Sequence, residues 1–120
     1  TPKAYIGFEA GLITTGRSLR TLPERHPVRL AYELHNRAGE RYSWDLLTVE
    51  YAVVDNCPHF RESAPGRVRF DEKGRTRWTQ DGTGQDCFVE LAQPEEQIVE
   101  DIDKLLTVPT RHGFPEALAE

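Results

Sequence analysis

Apolar and polar residues alternate with a period of two along much of the first half of this chain, the pattern of strands that bury one face. From about Lys3 to Ile13, Ala4, Ile6, Phe8, Ala10 and Leu12 share one parity, and the spacing predicts a strand with this set toward a core. Gly7 and Gly11 fall on the other face, where a missing side chain suits a bulge or a close backbone approach. They do not form a phosphate-binding fingerprint, because the spacing is absent and no helix pattern opens behind them.

A polar loop with Gly16, Pro23 and Pro27 leads to a second predicted strand, in which Val28, Leu30, Tyr32 and Leu34 point inward and Arg29, Glu33 and His35 outward. Turn residues Asn36-Arg37-Ala38-Gly39 connect it to a third, from about Arg41 to Asp55, the two pairing antiparallel. The phase slips inside this third strand. Tyr42, Trp44 and Leu46 have one parity, whereas Leu47, Val49, Tyr51 and Val53 have the other, so a β-bulge or sharp bend is expected between Asp45 and Leu47.

The segment from Arg67 to Trp78 allows a register to be worked out. Pairing apolar with apolar sets Val68 opposite Trp78 and Phe70 opposite Thr76, and Asp71 then faces Arg75 across a Glu72-Lys73-Gly74 loop. That loop is of the three-residue kind, a type I turn followed by a left-handed glycine. A last strand, Cys87 to Leu91, precedes a helix from Pro94 to Thr107. Proline in the first turn, Glu95 and Glu96 at the positive end of the dipole and Lys104 near the other end all fit it. Ile98, Val99, Ile102, Leu105 and Leu106 form its apolar stripe. Pro109 stops the helix, and the tail 110–120 is expected to be loosely ordered. The fold class is therefore α+β: a curved antiparallel sheet of about six strands with one C-terminal amphipathic helix packed on it, in a single domain spanning 1–120.

Composition narrows the function classes. A chain of 120 residues with 38% hydrophobic and 29% charged residues has enough apolar surface to fold without disulfides or metal. Its net charge of -5 argues against a general binder of nucleic acid or membrane, both themselves anionic. No apolar run approaches a membrane span, and Thr1 to Gly11 lack the features of a signal peptide, which favours a cytoplasmic location. Cys57 and Cys87 are expected as reduced thiols rather than as a disulfide.

Three groups of residues bear on function. In the derived hairpin Arg67, Arg69, Arg75 and Arg77 project from the face opposite Val68, Phe70 and Trp78, with Arg69 and Arg77 direct neighbours. Like charges placed opposite each other on a sheet destabilise it mildly, so this face invites an anionic companion. With no aromatic residue beside the arginines to stack on bases, an acidic protein surface suits the face better than nucleic acid. Glu33, His35 and Glu50, with an arginine such as Arg29, would suit general acid-base cleavage of a phosphodiester if the second and third strands aligned them. Asp55, Cys57 and His59, joined by Cys87 and His112, offer metal-ligating atoms, but at none of the short spacings of known zinc sites; no metal and no cofactor is expected.

The preferred reading is a non-enzymatic protein-interaction module, a small accessory, regulatory or immunity-type protein that binds an acidic protein surface through the arginine-rich hairpin face. The alternatives are a small acid-base hydrolase or nuclease using Glu33, His35 and Glu50, and a small subunit of a larger enzyme complex. Self-association through a sheet edge or through the helix stripe is compatible with all three.

Overall fold

The computed structural model describes residues 1–35 and 39–109. The chain is α+β, and the described residues form three α-helices and three small sheets in place of one curved six-stranded sheet. It forms two compact units, each discontinuous in sequence: Thr1–Leu12 with Trp44–Pro94, and Ile13–Ser43 with the segment that begins at Glu95. Among the described residues no helix is long and apolar enough to cross a membrane.

The first unit is built on a three-stranded sheet in the order β1 (Ala4–Ile6), β7 (Cys87–Leu91), β4 (Phe60–Glu62). β7 is central, antiparallel to β4 and parallel to β1, and its Val89 is buried. The expected first strand ends early. After Ile6 the chain enters a 3-10 turn at Phe8–Leu12, and Gly11 permits it, because a Cβ there would stand 1.8 Å from the indole of Trp44. That indole donates to the Phe8 carbonyl at 2.9 Å and packs on the Phe8 ring.

The expected third strand is the helix α2 (Trp44–Val53), preceded by a two-residue strand β3 (Arg41–Tyr42). The change of parity near Leu46 is thus the start of a 3.6-residue period and not a β-bulge: Leu47 and Glu50 are buried and Tyr51 half-buried, at spacings of three and four. Asp45 in the first turn complements the helix dipole. The hairpin β5 (Arg67–Phe70) and β6 (Thr76–Thr79) completes this unit, held to it through Trp78, whose ring packs near Tyr5 and Phe88.

In the second unit the expected second strand is the helix α1 (Pro27–His35). Pro27 stands at its start, where the missing N–H costs nothing, and Arg29 pairs with Glu33 one turn on at 2.6 Å. Of the four residues assigned inward, Val28 and Tyr32 are half-buried while Leu30 and Leu34 are exposed, because every second member of a period-two set lies four apart and shares a helix face. The predicted hairpin between the second and third segments therefore does not form; its Asn36-Arg37-Ala38 turn lies outside the described residues.

β2 (Thr14–Thr15) pairs with β3, and α3 (Glu95–Thr107) lies against β2 and a 3-10 turn at Arg17–Thr21, not on a broad sheet. Ile98 and Ile102 of its stripe are buried and Leu105 is exposed. Asp103, also buried, accepts the backbone N–H of Gly16 at 2.6 Å and of Ser18 at 3.0 Å, fixing the start of the Arg17–Thr21 turn on the helix. The tail 110–120, with His112, lies outside the described residues.

Candidate functional site

Sequence and structure coincide at the hairpin. β5 and β6 pair Val68 with Trp78, Arg69 with Arg77 and Phe70 with Thr76, the register that the apolar pairing requires. The loop closes by the expected chemistry. Gly74 takes φ 74°, a conformation that costs glycine little, and donates to the Asp71 carbonyl at 2.9 Å. The Asp71 carboxylate accepts the N–H groups of Lys73 and Arg75, each at 2.9 Å, and the Arg75 guanidinium at 2.7 Å. The N–H and then the guanidinium of Arg75 hold this carboxyl below the ordinary aspartate range. Phe70, on the face opposite the arginines, is 73% exposed, whereas Trp78 on the same face packs near Tyr5 and Phe88.

The base of the hairpin is closed by backbone. Gly66 and Asp86 exchange hydrogen bonds at 2.9 and 3.3 Å, and Gly84 lies directly on the Gly66 carbonyl.

The four arginines divide into two kinds. Arg67 contacts Asp81 at 3.1 Å and donates to the Thr83 hydroxyl. Asp81 in turn accepts the N–H of Thr83 at 3.0 Å and its hydroxyl at 2.9 Å. These bonds, with the charges of Arg67 and Arg69 behind them, hold its carboxyl below the ordinary aspartate range. Arg75 is taken up by Asp71. Arg69 and Arg77 remain: they face each other across the ladder, both exposed, and among the described residues neither makes an ion pair.

The other groups fall differently. Glu33 pairs with Arg29 along α1 and Glu50 is buried on α2, so the common strand face that would have aligned Glu33, His35 and Glu50 does not exist. Glu50 instead meets His59, with Oε1 3.0 Å from Nδ1 and both side chains nine-tenths buried. Asn56, left-handed at φ 54°, turns the chain after α2 and brings Cys57 and His59 back toward it. One ligand atom each from Glu50, Cys57 and His59 then lie within 4.8 Å of one another. Asp55 is exposed and not part of this group. Neither is Cys87, whose sulfur lies 4.0 Å from the Tyr51 hydroxyl, and neither cysteine is in a disulfide.

An open cavity of about 560 Å³ borders the cluster, lined by Tyr51, Asn56, Cys57, Phe60 and Glu62 among others. Tyr51 donates to Glu62 at 2.5 Å, and this bond, with burial, pushes the phenol well above its ordinary range.

Comparison with known proteins finds no family model, no curated protein and no solved structure similar to this chain.

Proposed function

We propose that this protein is a non-enzymatic interaction module, of an accessory, regulatory or immunity type, that docks the β5–β6 hairpin on an acidic protein surface. The observation that carries this reading is the cross-strand pair Arg69 and Arg77, exposed and without an ion pair among the described residues, while Arg67 and Arg75 are paired with Asp81 and Asp71. Opposed like charges cost the sheet about 0.2–1 kcal/mol, a cost that a bound carboxylate pair would reverse. Two adjacent guanidinium forks match carboxylates in geometry as well as charge. A nucleic-acid strand suits the face less well, because Trp78 packs with Tyr5 and Phe88 on the other side and offers no stacking platform.

The wild-type protein, immobilised and exposed to lysate of its source at low salt, is expected to capture a protein of acidic surface and to release it as salt screens the contact. The R69E/R77E double variant is expected to fold as wild type and to capture at least tenfold less, since truncating charged anchors at an interface typically costs about 2 kcal/mol or more. Equal capture by the two proteins would sink the assignment.

A further inference from the structure

The buried acid on α2 is not explained by the hairpin reading. A carboxylate withdrawn from water loses several kcal/mol of hydration, on the order of magnitude known for buried ions, and only partners for its lone pairs offset that loss. Here one oxygen of Glu50 faces His59 at 3.0 Å, but the other, Oε2, is buried with no hydrogen-bond partner. The third nearby group is the sulfur of Cys57, from the short Cys57-Pro58-His59 run that follows the Asn56 turn. An oxygen anion, an imidazole nitrogen and a thiolate sulfur are the three donor types that zinc accepts.

We propose that Glu50, Cys57 and His59 bind a zinc ion, with its fourth position open to the cavity bordered by Cys57, Tyr51 and Glu62. With zinc-ligand lengths of about 2.0–2.3 Å, donor atoms on a tetrahedron stand roughly 3.3–3.6 Å apart. The Glu50–His59 separation of 3.0 Å is already close to that, and all three donors fall within 4.8 Å, so the sulfur has about 1 Å to close. Cys57 is half-buried on a turn, where such a shift is cheap, whereas Glu50 and His59 are fixed by α2 and by the backbone bond from Ala92 N–H to the His59 carbonyl at 2.7 Å. The metal neutralises the buried carboxylate and takes up the unsatisfied environment of its second oxygen. Three protein ligands with one outward position is the arrangement that leaves room for a bound water.

The test uses the full chain, stripped of metal under reducing conditions and titrated with Co²⁺ and then Zn²⁺. One equivalent of Co²⁺ is expected to give a thiolate-to-cobalt charge-transfer band with the intense visible bands of tetrahedral cobalt, both displaced by one equivalent of Zn²⁺. C57S, which keeps the side-chain size at a half-buried position, is expected to lose the charge-transfer band and more than about 100-fold in zinc affinity, beyond the range seen when only an outer-shell partner is removed. C87S is expected to match wild type in both. A folded wild type that gives no charge-transfer band overturns the proposal, as does a band that survives in C57S or disappears in C87S.

Discussion

Replacing Asp103 by alanine is expected to destabilise the protein by about 3 kcal/mol, a core-sized loss for an acid on the amphipathic helix α3. Its carboxylate is buried and accepts two backbone N–H groups, from Gly16 at 2.6 Å and Ser18 at 3.0 Å, while its carbonyl accepts the Ser18 hydroxyl at 3.0 Å. Hydrogen bonds to a charged acceptor contribute about 1.5–3 kcal/mol each, and the Gly16 N–H left behind would be buried without its partner. Asn at the same position restores one acceptor but aims an amide N–H at a donor, so it is expected to recover only part of the loss. Urea unfolding followed by circular dichroism measures both. A change under about 1 kcal/mol for the alanine variant, within the range of ordinary surface substitutions, would mean that these bonds do not hold the 3-10 turn.

The second large effect is expected at Gly84. A Cβ there would stand 1.7 Å from the Gly66 carbonyl oxygen and 2.3 Å from its carbon, both of them backbone. Neither segment can yield alone, because Gly66 is bonded to Asp86 and Gly82 donates to Pro65 at 3.1 Å. Overpacking costs about 1–3 kcal/mol when side chains can move, and against backbone G84A is expected at the top of that range, near 3 kcal/mol. G74A makes the control: its Cβ would meet nothing within 4 Å, so only the left-handed φ of 74° opposes it, by about 1–2 kcal/mol. If G84A were no more destabilising than G74A, the close backbone approach at the hairpin base would not exist in solution. Since that base aims Arg69 and Arg77, G84A is also expected to weaken capture of an acidic partner.

The hairpin was legible in the sequence because everything that determines it is local. Val68, Phe70 and Trp78 fix the register, and Asp71 and Gly74 supply the turn, with no help from distant residues. The two missed helices show the opposite. Val28, Leu30, Tyr32 and Leu34 read equally as a strand face or as two helix positions four apart with two apolar residues left in solvent, and tertiary packing decided for the helix. In α2 the decisive sign was Leu47, Glu50 and Tyr51 at spacings of three and one; an acid inside that stripe made the stripe hard to accept as apolar. β4 contains one apolar residue in three and carries almost no signal of its own; it exists because β7 offers it a ladder.

The candidate site divides in the same way. The arginine pair follows from register and was visible. The Glu50–Cys57–His59 cluster was half visible as Cys57-Pro58-His59, but its third member comes from the last turns of α2 and is found only once that segment is known to be helical. The sign that could have led to it is Glu50 itself, a carboxylate on the inward stripe of α2 beside Leu47 and Tyr51.

If Arg69 and Arg77 contact the partner, their guanidinium groups are shielded in the captured complex from an arginine-specific dicarbonyl reagent, whose modification is quantified peptide by peptide in the mass spectrometer. Arg69 and Arg77 are expected to be protected in the complex relative to the protein alone, whereas Arg61, exposed on β4 and paired with Glu90, is expected to react equally in both. Equal modification of Arg69 and Arg77 with and without the partner would contradict the account and leave the arginine face a solvated surface.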